Sequence, residues 1–247
     1  MGSKLKSTFN LKHSAATALV LLLLNGCSVT AHHPSEHKDN WTTSWATATE
    51  DIREGFWMSK GHFPPKPLRD DTLRMFMRTS IGGDTVRIKF SNAFGHSPVT
   101  IQHAHLAEAE TPTASATNGA IKTSTDTTLT FTGKKDVVIA AGETIYSDPV
   151  AFDLAPLDVV AISIQYGDID DKPITGHRGA RTTSFFAKGN AVANSTMEAA
   201  VKKDVWYTAT ALEVTTAKPN NTIVAMGDSI TDGYGTHYNH HTAGQTF

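Results

Sequence analysis

Seven residues close to the end of this 247-residue sequence could do chemistry: Gly227-Asp228-Ser229-Ile230-Thr231-Asp232-Gly233. A serine hydroxyl is a poor nucleophile until a base takes its proton. A serine on a tight strand-to-helix turn has an exposed Oγ and a backbone N–H aimed outward. That N–H could stabilise the oxyanion of a tetrahedral intermediate, and a following helix would add a favourable dipole. Gly227 and Gly233 permit tight turning and close approach. Asp228 suits a local hydrogen-bond anchor, and Asp232 a helix cap or a turn support. The chemistry suggested is acyl transfer with Ser229 as nucleophile. It needs no cofactor, and no metal-ligand pattern accompanies it.

Positioning such a serine requires a strand before it. Thr222-Ile223-Val224-Ala225-Met226 is a continuous apolar run, as expected for a strand covered on both faces in a parallel sheet. A second, α/β domain is therefore expected over 221–247, after the linker Lys218-Pro219-Asn220-Asn221. It would comprise one strand and a helix start, cut off by the end of the sequence.

The preceding 41–217 reads as mainly β, a β-sandwich or jelly roll. Leu73, Met75 and Met77 share one face of a short strand, and Val86, Ile88 and Phe90 alternate inward in another. The Gly82-Gly83-Asp84 turn between them suggests a hairpin, or strands close in space. Further strands are expected at 99–107, 129–132, 136–139, 150–154, 159–166 and 207–214. Residues 111–128 read as a surface loop or decorated hairpin, and 194–203 have weak helical character.

The N-terminal 1–26 reads as an export signal. Lys4, Lys6 and Lys12 precede an apolar stretch, 15–24, too short to span a bilayer. Leu24-Asn25-Gly26-Cys27 resembles a bacterial lipoprotein box, which would make Cys27 a lipidation site and anchor the protein to a membrane. Ordinary cleavage after Val29-Thr30-Ala31 is the alternative. Both readings place the protein outside the cytoplasm, as an envelope lipoprotein or a secreted or periplasmic protein. Residues 27–40 read as a polar tether. A single cysteine allows no intrachain disulfide. A net charge of −2 without a basic stripe argues against nucleic acid as a partner.

Other residues invite chemistry and have plainer readings. His237, His240 and His241 follow the serine turn and read as surface histidines. The alternatives are pocket residues, a metal site or a surrogate base. His177 lies in a Gly-bounded loop and reads as structural, or as lining an interdomain cleft. Trp41, Trp45, Trp57 and Trp206 read as core and interface packing rather than a sugar platform.

The full heptapeptide after an apolar strand resembles the first block of the SGNH or GDSL hydrolase superfamily. Upstream, Trp41 to Trp45, Arg78-Thr79-Ser80-Ile81-Gly82-Gly83-Asp84, Ser91-Asn92-Ala93-Phe94-Gly95 and Thr175-Gly176-His177 look like a bacterial extracellular subgroup with a β-sandwich ahead of its catalytic domain. The resemblance implies a serine esterase, lipase or acylhydrolase acting on acetylated carbohydrate or short-chain esters. By it, the catalytic domain is α/β/α and flavodoxin-like, and Ser229 is the nucleophile. Gly227, Asp228 and Gly233 support the turn. The family's remaining oxyanion-hole Gly and Asn and its Asp-x-x-His motif have no match here. The sequence is thus expected to be a fragment that is inactive alone. The competing expectation is an exported β-sandwich binding carbohydrate or envelope material, with a remnant serine block.

Overall fold

The computed structural model describes residues 40–52, 68–167, 169, 174–217 and 220–239. The expected signal, Cys27, Trp57, His240 and His241 lie outside these residues. In chain order the strands are β1 (Trp41–Ala46), β2 (Glu50–Ile52), β3 (Thr72–Arg78), β4 (Gly83–Ser91), β5 (Val99–Glu108), β6 (Thr127–Leu129), β7 (Val137–Ile139) and β8 (Thr144–Tyr146). They continue with β9 (Val150–Leu154), β10 (Val159–Tyr166), β11 (Ile174–Arg178), β12 (Ser184–Ala187), β13 (Val201–Lys203), β14 (Val205–Tyr207) and β15 (Ala209–Thr215).

The protein is mainly β, and every strand pair described is antiparallel. One sheet runs β1-β15-β4-β8, with β9 also on β4. A larger one runs β13-β12-β3-β10-β5-β6, with β7 also on β5, and a small one runs β14-β11-β2. Alternation decides which side chains meet. Leu73, Met75 and Met77 of β3 join Val86, Ile88 and Phe90 of β4 in one apolar cluster spanning both larger sheets, a sandwich-like arrangement.

β10 is buried along its whole length. Val160, Ile162 and Ile164 enter the main cluster, whereas Val159 and Ala161 enter a second one with Phe76 and Phe185. This second cluster is closed by the connections after β5 and β12, which contribute Ala114, Ile121, Ala191 and Met197.

Several expectations are corrected. β3 and β4 are not a hairpin but lie in different sheets. A bulge in β1 lets Ser44 and Trp45 both turn inward. The Ser44 hydroxyl donates to the Ile81 carbonyl (2.6 Å) and accepts the Ile81 N–H (3.1 Å), pinning the Gly82-Gly83 connection across the fold. Residues 194–203 form no helix; they bend and enter β13, whose Val201 pairs with Phe186 of β12. The 111–128 segment does behave as a decorated hairpin, with two single 3-10 turns between β5 and β6.

The run 222–226 is not a strand. Among the described residues no strand pairs with it, and Ile223, Val224 and Met226 are 84%, 76% and 91% exposed. Apolar patterning states a preference for burial, but a strand forms only where another supplies its ladder bonds. Nor does a helix follow. Residues 228–236 are successive turns, and Gly233 (φ 88°) and Gly235 (φ 90°) take left-handed conformations that end helical winding.

Candidate functional site

Ser229 stands exposed on the first of these turns. The Asp228 carboxylate accepts the Ile230 N–H (2.9 Å), as an Asx-type anchor should. The Ser229 carbonyl accepts the Tyr234 N–H (2.6 Å), and the Asp228 carbonyl accepts the Asp232 N–H (3.1 Å). Gly227 is required at its position, because a Cβ there would collide with the Thr231 side chain. Gly227, Asp228 and Gly233 therefore shape the turn locally. The Ser229 hydroxyl has no hydrogen-bond partner among the described residues.

The turn is tied to the β unit at two points. At the first, His177 of β11 meets Asp232, with Nε2 to Oδ1 at 2.9 Å. At the second, the guanidinium of Arg181 lies over the rings of Tyr234 (4.9 Å) and Tyr238 (5.3 Å) and donates to the Tyr238 hydroxyl (3.1 Å). Asn239 completes this second anchor. Its N–H donates to the Arg181 carbonyl (2.7 Å), and its side chain accepts the Thr183 N–H (2.8 Å).

The surroundings of His177 favour its protonated form. Nδ1 faces the Ala48 carbonyl at 2.8 Å and Nε2 faces the Asp232 carboxylate. Both partners only accept, so this setting suits a ring that carries a proton on each nitrogen. Burial opposes that charge. The Asp232 hydrogen bond and charge, then the Ala48 carbonyl and Glu50, outweigh it and raise the ring above its ordinary value. The ring also stacks on Trp206, with centroids 5.7 Å apart and planes at 26°. Beside it, burial pushes the Glu50 carboxyl up, but hydrogen bonds from the Arg178 side chain and backbone hold it below its usual value. Arg178 Nε donates to Glu50 at 2.8 Å, and a second guanidinium nitrogen pairs with the other carboxylate oxygen.

A cleft of about 800 Å³ separates this segment from β1. Residues 42–48 wall one side; residues 221–225, Gly227, Asp228, Thr231 and Asp232 wall the other, and His177 also lines it. Ser229 is not among its lining residues.

His177 borders this cleft. His237 is exposed. Trp45 and Trp206 are buried and pack edge-to-face at 5.1 Å, which is the core reading. Among the described residues no cluster of His, Cys, Asp and Glu could hold a metal ion. A second histidine–carboxylate pair, His105 with Asp126 (2.8 Å), sits between β5 and the loop before β6 and pins that loop.

Sequence reasoning missed Arg181, Tyr234, Tyr238 and Asn239. The one available signal was the density of Gly and Arg in Gly176-His177-Arg178-Gly179-Ala180-Arg181. A scan against protein-family models and a search of curated proteins each return no match.

Proposed function

We propose that this chain carries the nucleophile of an exported SGNH-type ester hydrolase, with Ser229 in that role. The supporting observation is an exposed serine hydroxyl, without a hydrogen-bond partner among the described residues, on a turn shaped by Gly227, Asp228 and Gly233. In the reaction, Ser229 Oγ bonds to the acyl carbon while a base takes its proton. The ester C–O bond breaks, the alcohol leaves with a proton, and water releases the acid. On this reading Ser229 needs a base, and His177 is poorly placed to serve, since its two ring nitrogens face the Ala48 carbonyl and the Asp232 carboxylate. Export, with or without a lipid on Cys27, belongs to the same reading.

Covalent labelling tests it. The purified 247-residue chain alone should label slowly with a fluorophosphonate, because losing the base of a serine triad costs on the order of 10⁴-fold or more. Added imidazole, acting as a surrogate base, should accelerate labelling selectively at Ser229, as mapped by mass spectrometry and lost in Ser229→Ala. Labelling spread evenly over exposed serines such as Ser80 would sink the assignment.

A second reading, glycan binding by the β unit, draws on one surface feature. The Arg87 guanidinium lies between the rings of Trp41 (4.2 Å) and Tyr146 (4.3 Å) and bonds Glu213. The outer ring faces could stack on sugars. This reading expects retention on immobilised polysaccharide that Tyr146→Ala weakens; absence of retention on all glycans rejects it.

A further inference from the structure

We propose that β11 and the connection after it form a docking surface for the serine segment and that His177 is its positioning residue, a doubly protonated ring that clamps Asp232 and lets the turn go on losing a proton. The consequence for catalysis rests on the reading of Ser229 as nucleophile; the clamp itself does not.

Three observations carry the clamp. The first is the pair of acceptors, the Ala48 carbonyl and the Asp232 carboxylate, on opposite ring nitrogens. A neutral imidazole has one N–H. If it keeps the Ala48 bond, a bare lone pair faces a carboxylate. If it turns to Asp232, the Ala48 bond is lost. The second is the local charge balance. Glu50 of β2 and Arg178 of β11 satisfy one another through paired hydrogen bonds, leaving Asp232 to the imidazolium. Asp51 of β2 acts on Arg178, and Asp204, just before β14, acts on Tyr238. β14 itself presents the neutral indole of Trp206. The third is partial burial: the His177 side chain is only 12% exposed, against 33% for Asp232, so water screens the pair weakly.

The second anchor contains no histidine. The Arg181–tyrosine stack and the Asn239 bonds do not involve His177, so they should persist when it is neutral. Proton loss should therefore loosen the turn at 228–233 while the segment stays attached at 238–239. The sign follows from the raised value of His177. Clamp stability is complete below the ordinary imidazole range and disappears as pH rises through the raised value of the folded state. A carboxylate-binding imidazolium thus holds Ser229 in one orientation below the raised His177 value and frees it above that value.

The test follows histidine ring protons and amide exchange by NMR in the 247-residue chain. His177 should titrate above the ordinary imidazole value, and Asp232→Asn should lower it. The Asp232 and Gly233 amides should exchange about tenfold or more faster once His177 is neutral, as loss of a charge-assisted hydrogen bond requires. The Asn239 amide should stay protected throughout. His177→Gln should show the fast exchange at every pH, with its near-ultraviolet circular dichroism unchanged. Ser229→Ala should match the parent chain, which separates this result from that of the nucleophile assignment. Equal protection of Asp232 and Gly233 on both sides of the His177 titration would overturn the clamp, as would a His177 value indifferent to Asp232→Asn.

Discussion

Arg74→Met is expected to destabilise the fold by about 3 kcal/mol or more and to detach two loops from the larger sheet. Arg74 is fully buried on the face of β3 away from the main core. Among the described residues it makes no ion pair with a carboxylate. Its Nε donates to the Ser163 hydroxyl of β10 (2.8 Å), and its terminal nitrogens donate to the carbonyls of Gly119 (2.8 Å), Val192 (3.0 Å) and Asn194 (2.8 Å). Burial draws the guanidinium down to about 10, with the Asp126 charge opposing, so it remains a cation at neutral pH. Methionine keeps the apolar stem and deletes every donor. Each carbonyl left dry costs about 1–3 kcal/mol, with relaxation offsetting part of the total. Arg74→Lys should recover little, because one ammonium cannot reach acceptors on two separate loops and a strand. The urea midpoint measures the loss, and faster exchange of the Ile121 and Met197 amides would locate it. A midpoint shift worth less than about 1 kcal/mol would show that these carbonyls find other donors.

Arg74 also marks where sequence reasoning stops. In Leu73-Arg74-Met75 the alternation correctly assigns an inward face, but an arginine on the opposite face reads as solvated. Its burial depends on loops 45 or more residues away that close over it. Strands with strong alternation or a long apolar run, such as β4, β5 and β10, were legible. β2, β11, β12, β13 and β14 were not. They span three to five residues and exist because partners distant in sequence, such as Asp51 for Thr175, offer ladder bonds. The 222–226 run errs in the other direction: its pattern is that of a buried strand, and among the described residues it has no ladder.

The serine turn divides in the same way. Gly227, Asp228 and Gly233 act through neighbours within four residues, so the heptapeptide alone revealed them. Asp232 does not act locally. Its partner is on β11, and a cap or turn support was the best that local reasoning could offer. The setting that favours a protonated His177 was hidden more deeply still. It requires the β1–β2 connection, β11 and the serine segment to bring two acceptors to one ring.

Trp206→Ala should cost about 3–5 kcal/mol, the range for deleting a fully buried large aromatic, and should free the serine turn without touching either of its ion-pair partners. The indole joins core and site. Its Nε1 donates to the Phe76 carbonyl (3.0 Å), its edge packs against Trp45, and its face supports the His177 ring. An imidazolium over an indole gains up to about 2 kcal/mol when desolvated. More important here, the indole fixes the ring plane in which Nδ1 and Nε2 can reach Ala48 and Asp232 at once. Without that wall the ring rotates, and one acceptor is lost even though the proton remains. Trp206→Phe provides the contrast: it keeps an aromatic face, forfeits the Phe76 hydrogen bond, and should lose only about 1–2 kcal/mol with the clamp retained. Two measurements on each variant decide the matter, the urea midpoint and the exchange rates of the Asp232 and Gly233 amides. If Trp206→Ala loosens the core yet leaves those amides as slow as in the parent chain, the ring plane is set by the hydrogen bonds alone. If exchange accelerates in alanine and not in phenylalanine, the apolar core reaches the serine turn through one stacked pair of rings.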